Sequence, residues 1–455
     1  MKALTKANKA EGRQFLYPKK PSGKLYTYRK WVSYILLTGL FSFPFLKLNG
    51  EQLVLLNFLE RKFVFFGVIF TPQDFYLFAL AMLIFIIFIV CFTVVLGRLW
   101  CGWACPQTIF MEMVFRRIEY WIEGDSNQQK KLDAQPWTTE KILKKGSKHF
   151  LFVLISFCIA NTFLAYLIGS DVLFRIILEP IGQHVSGFLS IWLFTGLFYG
   201  VFAYVREVVC TVICPYGRLQ GVLLDNQSLI VAYDEKRGEP RGHLQKNVVG
   251  VVEKGDCIDC GLCVQVCPTG IDIREGTQLE CVNCTACIDS CNEVMLKIHK
   301  PLNLIGFYNQ DYIAAQKPFR LGLKAYGYAA VLFAVMMVFS GLIYKRQDVE
   351  TTVLRASGTL YQLRANGTVS NLYNAELINK TNRPITFTLK SANPADQIQF
   401  IQAPLILPKE GTTHLTFFLI KKKKDITVYK SDVAFQVVAD GQVISTSTTS
   451  FFSQP

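Results

Sequence analysis

The sequence predicts a multi-domain membrane protein. An α-helical transmembrane bundle of about five spans carries an inserted α+β module rich in cysteine and ends in a C-terminal immunoglobulin-like β-sandwich. Three observations predict this architecture. Several apolar runs are long enough to cross a bilayer. Eight of the 14 cysteines fall between Cys257 and Cys291, and none follows. The residues after Lys345 alternate short β-branched and aromatic segments with turns.

Composition supports the membrane reading. The chain is 51% apolar and only 18% charged, where a soluble protein averages about 25%. A net charge of +14 fits either nucleic acid or a membrane surface. Lys and Arg lie mostly beside the apolar runs and not on one soluble face, so the partner read here is a membrane and no nucleic acid.

A spanning helix needs about 20 mostly apolar residues. Five stretches qualify: Trp31 to Leu48, Phe75 to Gly97, His149 to Gly169, Gly187 to Val205 and Ala325 to Tyr344. Pro44 kinks or ends the first. Phe63 to Phe70 is too short to span and reads as an interfacial or re-entrant piece. The first run starts late and reads as an anchor, not a cleavable leader. Lys and Arg crowd the segment before span one (Lys19, Lys20, Lys24, Arg29, Lys30), the loop after span two (Arg116, Arg117, Lys130, Lys131) and the stretch after span four (Arg206, Arg218, Lys236). The intervening loops offer only Arg61 and Lys62, and Arg175. The positive-inside rule then expects an inner-membrane, multi-pass protein with those basic segments cytoplasmic and the C-terminus periplasmic. The resulting domains are a cytoplasmic N-terminal segment (1–30), four spans (31–245), the cysteine module (246–300), a linker with the fifth span (301–345) and a periplasmic β-domain (346–455). In the last, Ile385–Leu389, His414–Leu419 and Val433–Val438 are three of about seven strands expected of a sandwich. Nothing in it looks catalytic.

The central motif is Cys257-x2-Cys260-x2-Cys263-x3-Cys267-Pro268, followed by Cys281-x2-Cys284-x2-Cys287-x3-Cys291. This is the bacterial ferredoxin spacing written twice, so the module is ferredoxin-like with two [4Fe–4S] clusters. Each iron of a cubane needs one thiolate, and the fourth ligand of each run reaches the other cluster. One cluster is expected on Cys257, Cys260, Cys263 and Cys291, the other on Cys281, Cys284, Cys287 and Cys267. Gly261 marks a tight turn. Asn292 stands where the pattern has a second Pro, an expected loss of turn rigidity but of no ligand. Zinc ribbons are the competing reading, but two tandem four-cysteine runs fit four-ligand zinc sites poorly. Ligating thiolates must stay reduced, which also favours the cytosolic face.

A second repeat lies at the membrane. Cys101-x3-Cys105-Pro106 follows span two and Cys210-x3-Cys214-Pro215 follows span four. At helical pitch, residues i and i+4 share a face, so each pair could chelate a soft metal or act as a redox dithiol, and the following Pro is expected to stop or bend the helix there. Soft thiolates favour Cu(I) among metals. Helix packing is the plainer reading of any single such pair, but two equivalent copies weigh against it. Cys91 and Cys158 read as buried packing, and Met111 and Met113 as core or interface packing, with thioether ligation of copper as the alternative. The histidines His149, His184, His243, His299 and His414 are scattered, which argues against bis-histidine haem.

With these residues in view, the chain resembles the CcoG/RdxA/FixG family of cytochrome c oxidase accessory proteins. The resemblance covers the order of spans, both Cys-x3-Cys-Pro motifs, the two-cluster module and the β-tail with Asn371, Tyr373 and Asn379. It implies a membrane polyferredoxin that reduces Cu(II) to Cu(I) for assembly of a cbb3-type oxidase, with copper ions, oxidase subunits or copper chaperones as partners and an unknown electron donor. It also implies that the eight module cysteines are cluster ligands and that Cys101, Cys105, Cys210 and Cys214 are the reactive membrane cysteines. Two other classes stay open: a quinol-linked conduit to a partner reductase, and a non-enzymatic assembly scaffold.

Overall fold

The computed structural model describes residues 15–48, 50–60, 62–70, 74–243, 254–315, 321–358, 360–364, 367–402 and 406–453. Arg61 and the boundary at 245/246 lie outside them. The chain forms two compact units, Met1–Phe45 with Leu80–Met336, and Leu46–Ala79 with Met337–Pro455.

Among the described residues, four helices are long and apolar enough to cross a membrane: Phe75–Leu96, Thr139–Ile168, Val185–Val205 and Leu323–Tyr344. Apolar side chains such as Ile86, Leu193, Phe333 and Met337 stay exposed on them, as lipid-facing helices require. The run expected as the first span is helical over Lys24–Ser42 only. That helix begins seven residues earlier than the apolar run because Asp289 accepts from the backbone N–H groups of Leu25 and Tyr26 at 3.2 and 2.8 Å, satisfying donors that a helix start leaves unpaired. Lys47–Leu48 leaves the helix altogether and pairs with Glu51–Gln52.

The Thr139–Ile168 helix starts at Thr138, whose side chain accepts from Lys141 N–H. It packs through Leu164 and Ala165 against Leu173 and Ile191. Near its other end Phe152 joins Phe110, Phe115 and Phe202. Phe115 stacks on Phe202 with ring centroids 4.4 Å apart and meets Phe152 edge-on at 4.8 Å, geometries that add to area burial. Met111 fills this core, and Met113 is equally buried, both at 3% exposure.

The cysteine module closes on one antiparallel strand pair, Ile230–Tyr233 with Ile305–Tyr308, and on the helices Leu262–Gln265 and Ala286–Lys297. Its core joins Val231, Tyr233, Ile271, Ile273, Ile288 and Leu304. Asn292 does not open a turn. It lies inside the Ala286–Lys297 helix, where a proline would delete a backbone donor. Its amide donates to Asn303 Oδ1 at 3.1 Å, and its oxygen accepts from Asn303 N–H at 2.7 Å.

The second unit contains the β-sandwich. One sheet orders Gln397–Gln402, Thr412–Lys422, Thr368–Asn379 and Val349–Arg355; the other orders Thr388–Ser391, Lys430–Ala439 and Gln442–Phe452. Alternate residues point inward, and Tyr373, Phe417 and Phe435 are wholly buried between the sheets. Tyr373 donates to Ser450 O across the gap at 3.0 Å. Phe63 to Phe70, expected as an interfacial or re-entrant piece too short to span, forms no helix. It is a hairpin, Lys62–Phe65 with Val68–Phe70, turning at Phe66 and Gly67 with φ of 49° and 83°. Two successive positive φ angles make the two-residue turn that suits strand twist.

Candidate functional site

The two cysteine runs repeat in backbone shape as well as spacing. In the first, Asp259 has φ 53° and Gly261 φ 67°; in the second, Asn283 has φ 52° and Thr285 φ 66°. The left-handed residue after the second cysteine starts a helix in both halves, so each chain segment curls around a common centre. Successive turns of this kind gather backbone N–H groups into a concavity suited to an anionic group.

Two cavities result. One is lined by Cys267, Cys281, Cys284 and Cys287 with Val231, Ile271 and Ile273. The other is lined by Cys257, Cys260 and Cys291 with Leu262 and Met295. Cys263 borders both. Each run's last cysteine thus stands with the other run. Burial raises these thiols, Cys263 and Cys281 to about 12 and Cys284 and Cys291 to about 11, and neighbouring cysteines add to the rise. Thiolates gathered this way need a polycation among them. Among the described residues no three His, Cys, Asp or Glu side chains close around a point that a single ion could fill. Thiols spread around an apolar volume fit a cubane better than one zinc ion. Arg274 lines the second cavity, pairs with Asp272 and Asp259, and lowers the Cys263 thiol by its charge. Cys260 is exposed while Cys284 is buried.

The membrane-side cysteines do not lie on continuous helices. Cys101 sits in the short helix Leu99–Trp103, whereas Cys105 is extended at φ −65°, ψ 125° and precedes the next helix, which opens at Pro106. Cys214 repeats this at φ −69°, ψ 113° before Pro215. A residue before proline is driven out of the helical region, and proline suits the first helical position. The shared helical face expected for each pair is therefore broken by its own proline.

The two motifs nevertheless meet. Cys101 lies within electrostatic reach of Cys105 and Cys214, and Cys210 of Cys105, Cys101 and Cys214. Burial is the main cause that raises Cys101 to about 11 and Cys210 to about 12. Each motif supplies a polar partner to the other. Cys101 Sγ donates to Gln220 Oε1 at 3.1 Å, and Thr108 Oγ1 lies 4.0 Å from Cys210 Sγ. Arg98, 4% exposed, reaches from the first motif to Gly217 O at 2.8 Å and Gln220 Oε1 at 3.0 Å. Arg29 donates to Gly102 O at 2.7 Å. Sequence reasoning singled out the cysteines but not Gln220, Thr108 or the role of Arg98. Their only signal was position beside the repeated Cys-Pro.

The motifs also abut the cluster module. Cys101 packs against Val266, Val282 and Ala286 in one core with Cys284 and Cys287. A Cβ on Gly102 would sit 2.5 Å from Val282 O, so the approach requires glycine there. On the other flank, a small cavity is lined by Cys210, Thr108, Pro268 and Thr269. Cys91 is half-buried, and Cys158 is exposed, not packed inside as expected; neither joins the site.

Three family models match. A 4Fe-4S dicluster domain covers residues 205–310, a 4Fe-4S binding domain covers 78–125, and the IG-like fold at the C-terminal of FixG covers 339–454. Nitrogen fixation protein FixG of Rhizobium meliloti is 32% identical over 420 residues, covering 83% of this chain and 79% of its own. Protein RdxB of Cereibacter sphaeroides is 32% identical over 398 residues, 84% of this chain and 83% of its own. Protein RdxA of the same organism is 32% identical over 391 residues, 82% and 81%. With its iron–sulfur domains and IG-like tail, the chain belongs to the FixG/RdxA family of membrane iron–sulfur electron-transfer proteins.

Proposed function

We propose that this protein reduces Cu(II) to Cu(I) at the four membrane-side thiols and serves assembly of a cbb3-type oxidase. Copper is the substrate here, not a resident cofactor. The observation that carries the reading is the packing of Cys101 in one core with Cys284 and Cys287, which brings a soft-metal ligand beside a cluster cavity. In this reading Cys257, Cys260, Cys263 and Cys291 hold one [4Fe–4S] cluster, and Cys281, Cys284, Cys287 and Cys267 the other. When bound, each cluster supplies one electron at a time.

The chain's own residues do the rest. Cys101, Cys105, Cys210 and Cys214 bind and orient the copper, and thiolates favour its lower oxidation state. Gln220 and Arg98 hold the Cys101 side, Thr108 the Cys210 side. Apolar Val266, Val282 and Ala286 keep water from the short path between thiol and cluster. The Lys and Arg distribution supports a cytoplasmic module, a periplasmic sandwich and five spans, with the Lys24–Ser42 helix counted as the first. It also supports the division into residues 1–30, 31–245, 246–300, 301–345 and 346–455. Oxidase subunits or copper chaperones are the partners this reading implies.

The test is anaerobic reduction of Cu(II) by dithionite-reduced protein, read with a Cu(I)-specific chromophore. Wild type forms one Cu(I) per electron held. Cys101→Ser and Cys210→Ser, with full iron content, slow this at least ~10-fold. Parental rates in both variants would remove the thiols from the reaction.

A further inference from the structure

A larger cavity lies at the C-terminal end of the Val185–Val205 span, against the Lys145–Phe152 stretch of the Thr139–Ile168 helix. Phe152, His149, Ala203 and Tyr204 line its membrane side, and Glu123 and Arg206 its polar side. Its charges balance. The carboxylates of Glu119, Glu123 and Asp133 face the cations of Arg206, Lys145 and Lys148 in close pairs, such as Arg206 to Glu119 at 2.8 Å and Lys148 to Glu123 at 2.9 Å. A charged ligand would find no unmatched counter-charge. A neutral one would find an unused donor. Arg206 Nε is buried without a hydrogen-bond partner, its nearest carboxylate oxygen being Glu207 Oε1 at 3.8 Å. Glu123 Oε1 is shared by the ammonium groups of Lys145 and Lys148 at 3.0 and 2.9 Å. Glu123 and Arg206 are 4% and 5% exposed. Tyr199 OH meets His149 Nδ1 at 3.0 Å, which leaves Nε2 as the ring's second polar atom. An unpaired buried donor such as Arg206 Nε calls for a ligand or water.

We propose that this cavity binds a membrane hydroquinone as the protein's electron donor, an inference that rests on the iron–sulfur reading above. The observations fit its chemistry: a neutral aromatic ring, two hydroxyls to meet Glu123, Arg206 or His149, and an apolar tail leaving between span ends into lipid. Oxidation breaks two O–H bonds. Two protons pass to Glu123 and His149 and on to water. Two electrons go singly to the two cluster positions, and quinone leaves. Arg206 also lines the smaller cavity that holds Cys210, Pro268 and Thr269, so one side chain separates the hydroquinone from the chain beside Cys267. Two one-electron positions then match a two-electron donor to one-electron copper.

The test is equilibrium dialysis of decylubiquinol against the detergent-solubilised full chain under nitrogen. Saturable binding is expected. Glu123→Gln removes an acceptor and Ala203→Phe fills the cavity, and each weakens binding ~10-fold at unchanged iron content. Trp121→Phe, on an exposed side chain away from the cavity, leaves affinity unchanged. In wild type the hydroquinone alone elicits the reduced-cluster paramagnetic signal. Absence of saturable binding, or equal affinity in both cavity variants, overturns the inference. Copper reduction driven by dithionite bypasses the cavity, so its loss would overturn the copper reading and leave this one standing.

Discussion

Thr285 holds φ 66° although it is β-branched, a conformation that costs a non-glycine residue about 1–2 kcal/mol. Its hydroxyl donates to Cys284 O at 2.7 Å and helps hold it there. Gly261 occupies the same place in the first run without that strain. Gly261→Val should therefore lower stability by about 1–2 kcal/mol and reduce iron content, while Thr285→Gly retains both clusters; thermal melts and iron assay check this. Arg274 makes a second residue-scale case. Its guanidinium stands beside Cys263, so it stabilises the more negative, reduced cluster. Arg274→Gln should shift that cluster's midpoint more negative by on the order of 50 mV, about a tenfold change for one electron. Potentiometric titration of the two clusters reads it, and an unchanged midpoint would remove Arg274 from tuning. The turn at Gly261 was legible because glycine announces positive φ. The equivalent turn at Thr285 was not, because nothing in a threonine does. Only the repeat of cysteine spacing hinted that the two backbones match.

Among elements, the Cys-Pro breaks show where pattern reading stops. Spacing alone put Cys101 and Cys105 on one helical face. The proline after each pair was expected to stop or bend the helix there, and it does so early enough to leave Cys105 outside the helix that holds Cys101. The hairpin at Phe63–Phe70 was missed for a related reason. Short apolar runs do not separate strand from helix, and the turn at Phe66 needs a positive φ that phenylalanine does not advertise. The second unit offers a pH prediction. Asp74 is 1% exposed and pairs with Lys380 at 2.7 Å and Arg346 at 2.8 Å. Burial opposes its ionisation, but hydrogen bonds from Lys380 and Arg346 outweigh burial and hold its carboxyl below the usual value. A depressed folded value stabilises the fold above the unfolded one, so this contribution is present at neutral pH and fades as pH falls below about 4. Asp74→Asn should cost about 3–5 kcal/mol at pH 7, as breaking a buried pair does, and flatten the acid limb of stability. Denaturant unfolding at several pH values measures both.

For the whole molecule, the division into apolar helices, cysteine module and β-tail was legible because each part has its own signature: run length, cysteine spacing and period-two alternation. The meeting of distant parts was not. Asp289 of the module caps the Lys24–Ser42 helix across more than 260 positions of sequence, and Gln220 reaches Cys101 from the second motif. Contacts of that range follow from tertiary packing, which no local pattern encodes. Together they assemble the cluster cavities, the four thiols and the charged cavity at the span ends within one unit. The central claim is that electrons held by the eight module cysteines' clusters leave through the membrane-side thiols to copper. Electron paramagnetic resonance of the reduced full chain, before and after anaerobic addition of Cu(II), tests it most directly. The account predicts two interacting [4Fe–4S] signals that vanish as Cu(I) accumulates in equal number. Reduced-cluster signals that persist beside an undiminished Cu(II) spectrum would contradict it.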